Sequence, residues 1–237
     1  MSEEIIEQIN KDLALISDES GLSLKSSDGL SLRGDFSTLL RRIKHDNLTH
    51  ELIVKAARIK NFEEIRPLKV LDATAGMGED SFLLAACGFE VTLFEYDHII
   101  AALLKDSIER AERDPKLAEI AGRMAVVEGD SIEYMRHIVR KAGIDAADYV
   151  YDVILLDPMF PERQKSGLIK KKFQLLQQLE SPCSDEKDML EAAIGAAGHK
   201  VIIKRPAKGP YLAGVKPDYS IEGKAVRYDC ITCQAPR

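Results

Sequence analysis

The chain has 237 residues, 45% hydrophobic and 30% charged, with a formal net charge of −6. That length suits one large α/β domain, or a domain with a small appendage, and its core needs no disulfide staples. The acidic balance excludes a protein that coats nucleic acid or an anionic membrane indiscriminately; the acidic start, the lack of a long apolar run and the four scattered cysteines (Cys87, Cys183, Cys230, Cys233) predict a reduced, cytoplasmic protein without signal peptide or membrane span.

Residues 1–20 read as a loosely attached amphipathic helix or a frayed terminus. Residues 22–36, LSLKSSDGLSLRGDF, alternate around Ser-Asp-Gly and predict a hairpin. Residues 37–44 and 47–60 read as helices, the second with Leu48, Leu52, Ile53, Ala56 and Ile59 at helical spacing. After Pro67 short apolar runs alternate with helical patterns. Strands are predicted at 69–72, 91–95, 124–127, 153–156 and 200–204, and helices at 80–87, 99–111, 131–141 and near 186–197. Residues 219–221 and 226–233 predict a closing antiparallel pair around Glu-Gly-Lys. Such alternation implies right-handed crossovers and a parallel sheet covered on both faces. The expected fold class is therefore α/β: a Rossmann-like domain over 65–237 with a mainly parallel seven-stranded sheet, and a small N-terminal α+β region over 1–64. The Cys230-x-x-Cys233 pair falls in a predicted strand, where positions three apart face opposite ways, so two structural thiols are expected rather than a metal site.

In such sheets the ligand lies beyond the carboxyl ends of the strands. The first strand ends at Asp72 and runs into Ala-Thr-Ala-Gly76-Met-Gly78-Glu79-Asp80, whose glycines allow close approach of a ligand to the backbone. Glu95 ends the second strand, 23 residues after Asp72, where an acid accepts from ribose hydroxyls. Carboxylates repel a pyrophosphate but suit an ammonium and a sulfonium, which S-adenosylmethionine carries together. Asp130 and Ser131 follow the third strand. Asp130 can accept from an adenine amino group, and Ser131 can cap the next helix.

Ile154-Leu-Leu-Asp157-Pro158-Met-Phe160-Pro ends the fourth strand on an acid and a rigid turn. An exocyclic amine on a base is a poor nucleophile, because its lone pair is delocalised into the ring. A carboxylate at Asp157 and a carbonyl fixed by Pro158 can orient its N–H bonds and stabilise developing charge. Phe160 can stack on the base, a contact worth roughly 1–3 kcal/mol. The stretch resembles the [D/N]-P-P-[F/Y/W] tetrapeptide of amine-directed methyltransferases, with Met159 in place of the second proline.

Three basic stretches stand out in an acidic chain. One spans Arg163, Lys165, Lys170, Lys171 and Lys172. One includes Lys204 and Arg205, and one Arg41 and Arg42. The first two lie beyond strands four and five and the third in the N-terminal region, an uneven placement that predicts phosphate contacts to RNA that weaken with salt. Lys204, ending a buried strand, also needs a partner.

VLDATAGMGEDSFLLAACGFEVTLFEYD, ILLDPMFPERQKSGLIKKK and VIIKRPA, together with GLSLRGDFSTLLRR, resemble the ribosomal RNA small subunit methyltransferase J family over residues 22–233. The resemblance implies a class I fold and S-adenosylmethionine binding at Glu79, Asp80, Glu95, Tyr96, Asp130, Ser131 and Asp157. It implies methylation of guanine N2 in 16S ribosomal RNA, with the rRNA or the 30S subunit as partner and neither a metal nor an obligate protein partner. The alternatives are an adenine-N6 or protein-amide methyltransferase using the same tip, a nicotinamide-dependent oxidoreductase, and a noncatalytic RNA-binding module.

Overall fold

The computed structural model of the chain describes residues 4–59, 66–142, 150–158, 175, 179 and 185–233. Residues 1–20 do not form the expected helix or frayed end. They give β1 (Glu4–Asn10) and β2 (Leu13–Asp18), which with β3 (Gly21–Ser26) and β4 (Ser31–Leu32) make an antiparallel four-stranded sheet in the order β1-β2-β3-β4. Pairing overrides the helix-like spacing of Ile5, Ile9 and Leu13. Leu13 and Leu15 of β2 and Leu24 of β3 are buried against a helix from later in the chain, an advantage that no isolated amphipathic helix offers them. The hairpin expected over 22–36 is present as β3 and β4.

The expected helices of this region are shorter than their periodicity. A 3₁₀ turn at Phe36–Leu39 is capped by Asp35, whose carboxylate accepts from Ser37 N–H. Helices α1 (His45–Leu48) and α2 (Leu52–Ala57) replace one continuous helix. Glu51 interrupts them in extended backbone, where its carboxylate takes a bidentate pair from Arg42 at 2.8 Å. Beyond α2, Lys200 Nζ donates to the carbonyls of Ala56 and Arg58, satisfying groups that a longer helix would use itself.

The second sheet holds β5 (Lys69–Asp72), β6 (Glu90–Glu95), β7 (Met124–Glu128), β8 (Tyr151–Leu156), β9 (Ala197–Pro206), β10 (Tyr219–Glu222) and β11 (Val226–Thr232). Their order is β10-β11-β9-β8-β5-β6-β7. From β7 to β9 every pairing is parallel, and β11 pairs antiparallel with both β9 and β10. The mainly parallel seven-stranded sheet expected from the sequence is thus present. Helices α3 (Glu79–Ala86) and α4 (His98–Arg113) pack with α2 on one face, and α6 (Ser131–Ala142) and α7 (Glu186–Ala196) on the other; a short α5 (Ala118–Ala121) precedes β7. From β5 the chain moves to β6 and β7, whereas β8 and β9 lie on the other side. The order therefore switches between β5 and β8, which opens a crevice at their carboxyl ends.

The N-terminal sheet rests on α4 through Leu13, Leu15, Leu24, Ile99 and Leu103. Phe36 stacks on Phe82 of α3 with ring centroids 4.5 Å apart. Arg110 of α4 donates to the carbonyl of Gly34. Among the described residues no helix is long and apolar enough to cross a membrane. Cys230 is buried in the core, and Cys233 lies half-buried just past β11.

Candidate active site

Asp72 closes β5, and the loop after it is held from both sides. Ala73 N–H donates to Leu155 O of β8, and Ala75 N–H to Phe94 O of β6. The Thr74 hydroxyl accepts Asp157 N–H at 2.6 Å, and Gly76 N–H donates to Glu95 Oε2 at 2.9 Å. The acids that end β6 and β8 therefore grip residues two apart in one loop. Gly78 lies at φ 72°, a left-handed conformation that favours glycine. A Cβ there would also stand 2.8 Å from Leu104. The chain then enters α3, so the positive end of that helix faces the crevice, with Glu79 and Asp80 in its first turn.

Glu95 is 7% exposed, and its other oxygen accepts from Asp97 N–H at 3.0 Å. Burial pushes its carboxyl above the ordinary range, while the backbone donors oppose that. Two carboxylate oxygens offer about four acceptor sites, so the backbone donors leave room for a ribose hydroxyl. Tyr96, next along, is 80% exposed. Asp130 is exposed and caps α6, its Oδ1 accepting from Ile132 and Glu133 N–H. The cap is therefore Asp130 rather than Ser131, which is buried.

Asp72 is 3% exposed, with Oδ2 accepting from Ser81 Oγ at 2.6 Å and Oδ1 from Thr74 N–H at 3.2 Å. Burial, more than the nearby Asp80 and Asp157, pushes its carboxyl up to about 7 from an ordinary 3.8. Between those values the folded protein keeps a proton that the unfolded chain has lost. This group's contribution to stability is therefore fully present below about pH 4 and lost as pH rises through about 7. Asp72→Asn removes that slope. The urea midpoint of the wild type, measured against the variant, is expected to fall from pH 4 to pH 8. A difference independent of pH would contradict it.

Lys204, expected as an RNA contact, is held instead by two carboxylates near the carboxyl end of β9. Its Nζ lies 2.9 Å from Asp80 Oδ2 and 2.9 Å from Asp157 Oδ2. Burial works against its charge, but Asp80 and Asp157 outweigh it and push its pKa up. Arg205 is corrected more strongly. It is 1% exposed, with Nε donating to Pro210 O and Nη1 3.8 Å from Glu186, so its guanidinium is enclosed by protein. Arg41 is exposed as expected. Arg42 is bound to Glu51 and lies 3.9 Å from Glu79, tying the N-terminal region to the glycine loop. Pro158 is buried beside Asp157. Phe160, Arg163, Lys165, Lys170, Lys171 and Lys172 lie outside the described residues. Sequence reasoning missed Thr74, Ser81 and Tyr228. The hydroxyl of Tyr228 donates to Asp80 Oδ2 at 2.9 Å, and no spacing signal pointed to it.

The donor set suits S-adenosylmethionine. Carboxylates of Asp80, Glu95 and Asp157 outnumber the one ammonium of Lys204 among them, a surplus that favours a cationic ligand and disfavours a pyrophosphate. Residues 2–232 match the family described as "Putative SAM-dependent methyltransferase". A crystal structure of a SAM-dependent methyltransferase from Neisseria gonorrhoeae has a TM-score of 0.74 and 30% identity, covering 98% of this chain and 88% of that one. Fold and site thus place the chain in the Rossmann-like, class I family of S-adenosylmethionine-dependent methyltransferases rather than among nicotinamide-dependent oxidoreductases.

The protein named ribosomal RNA small subunit methyltransferase J in Pseudomonas aeruginosa PAO1 is 47% identical over 179 residues, 76% of this chain and 64% of its own length. Its namesake in Marinobacter nauticus is 40% identical over 229 residues, 94% of this chain and 78% of its own. The chain belongs to the ribosomal RNA small subunit methyltransferase J family. Its match spans just under two thirds of the Pseudomonas relative.

Proposed function

We propose that this chain methylates the exocyclic N2 of one guanine in 16S ribosomal RNA, using S-adenosylmethionine. The observation that carries the reading is the hydrogen bond from Asp157 N–H to Thr74. It sets the acid of the tip against the cofactor loop, in the crevice at the switch between β5 and β8. Support for an RNA acceptor comes from the names of the relatives and from the basic run Arg163 to Lys172 of the sequence.

S-adenosylmethionine supplies a methyl group on a sulfonium. The chain's own residues do the rest. Glu95, Asp130 and Tyr96 hold the nucleoside end, by hydroxyl, amino and ring contacts respectively. Gly76 and Gly78 let the ligand lie against the backbone, and Asp80 and Asp72 line the charged end. Asp157 accepts an N–H of the guanine amine, aligns its nitrogen with the methyl, and stabilises the positive charge that grows there before a proton leaves. Phe160 stacks on the base, which must leave its own stack to reach the tip. Arg41 and Arg163 to Lys172 grip the phosphates, and the N-terminal region positions the RNA, whether naked or in the 30S subunit.

The test is mass mapping of methylated guanines in small-subunit RNA from cells lacking this protein. One N2-methylguanine is expected to vanish and to return with the wild-type gene. An unchanged guanine profile overturns the reading.

A further inference from the structure

Lys204 joins three elements that the chemistry needs held together. It extends from β9, meets Asp80 in the first turn of α3, and meets Asp157 at the end of β8. Tyr228 of β11 sits directly across from it in register and donates to the same Asp80 oxygen. Cross-strand neighbours share one face, so the two side chains approach Asp80 together. A lysine is a costly choice for this place. Its side chain is 27% exposed, and an apolar residue would pack there without a charge to desolvate.

We infer that Lys204 is a positioning residue for Asp157: anchored by Asp80 and Tyr228, it holds Asp157 Oδ2 and leaves Oδ1 for the acceptor amine. The inference rests on the reading of Asp157 as the group that meets that amine. Among the described residues Oδ1 takes no hydrogen bond, so one oxygen is fixed and the other is offered.

The charge matters as much as the direction. An Asp157 that picked up a proton would stabilise a developing cation poorly. Burial pushes its carboxyl towards protonation, and Asp80 adds to that; Lys204 opposes, helped by Arg205. Solvent reaches 42% of the Asp157 side chain, which moderates these effects. The other groups around it are Asp72 at the end of β5 and the Tyr228 hydroxyl, both uncharged or partly so near neutral pH. Lys204 is the one cation in direct contact with Asp157 among the described residues.

The test uses the full chain with Lys204→Met, Lys204→Gln and Lys204→Arg. One readout is the pH profile of methyl transfer to small-subunit RNA. The other, free of RNA and cofactor, is the carbon-13 titration of the Asp157 carboxyl by NMR, assigned with Asp157→Asn. In Lys204→Met, kcat is expected to fall about tenfold or more while KM for S-adenosylmethionine stays within about twofold. The acid limb of the profile and the Asp157 titration both move to higher pH. Lys204→Arg restores the titration and part of kcat, whereas Asp80→Asn moves the titration to lower pH. A purely structural lysine would lower the melting temperature and leave both pH readouts in place. An Asp157 titration unmoved in Lys204→Met overturns the inference, as does a wild-type acid limb. Should Lys204→Met fail to fold, Lys204→Gln carries the same comparison. Should the wild type methylate no small-subunit RNA, the proposed function fails separately, and the NMR titration still decides the role of Lys204.

Discussion

Asp157→Ala lowers kcat for methyl transfer by about 10²–10³-fold, the usual cost of removing one group aimed at developing charge. The substitution should leave the fold intact. Asp157 sits at a strand end with 42% of its side chain exposed, and its loss strands no partner, because Lys204 keeps Asp80 at 2.9 Å. Thr74 also keeps its bond, since the Asp157 backbone supplies that donor. The larger effect therefore falls on the chemical step. Asp157→Asn retains an acceptor oxygen without the charge and is expected between wild type and alanine. Single-turnover rates with circular dichroism as a folding control check both variants. A wild-type rate in Asp157→Ala would remove the central residue of the proposed site.

Arg227→Met has the largest expected effect on stability. Arg227 and Asp229 lie two apart on one face of β11, 5% and 1% exposed, and pair through two bonds at 2.9 and 3.0 Å. The same guanidinium donates to the carbonyls of Pro206, Ala207 and Gly209 and lies over the ring of Tyr211. Removing it leaves the buried Asp229 carboxylate without its charged partner, though Ser220 still donates to it, and takes a donor from the carbonyls of Ala207 and Gly209 and from Pro206 O, which keeps Gly209 N–H. Breaking a buried pair on one side costs about 3–5 kcal/mol, which for a chain of this size lowers Tm by about 6–20 °C. Adding Asp229→Asn should recover part of the loss, because the stranded charge goes with it. Thermal melts of both variants decide. Equal melting points for wild type and Arg227→Met would show that the buried pair adds nothing.

The parallel sheet was legible because each strand is a short apolar run, and β5 to β8 each run into an acid or a glycine loop. Asp72, Glu95, Asp130 and Asp157 could be placed at strand ends by that pattern alone. What the pattern hid were contacts between segments far apart in the chain. Lys204 and Arg205 read as part of a basic stretch, yet both turn inward. Charge counts say nothing about which face of a strand a side chain occupies. Tyr228 stands 148 residues from Asp80 and carries no local signal. Residues 1–20 misled for a related reason: Ile5, Ile9 and Leu13 fit a helical stripe, but β3 and α4 give Leu13 a better burial than a lone helix would. Glu51 broke a helix that Leu48, Leu52 and Ala56 would have continued, through its pair with Arg42.

The bonds from Ala73, Ala75, Thr74 and Gly76 to β6 and β8 have a thermodynamic consequence. Fixing one residue's backbone costs about 1–2 kcal/mol in entropy, and here that ordering is completed during folding rather than at ligand arrival. A loop ordered before the ligand arrives takes little from the affinity of an incoming nucleoside. Calorimetry of cofactor association should accordingly show no heat-capacity component from ordering of residues 73–76.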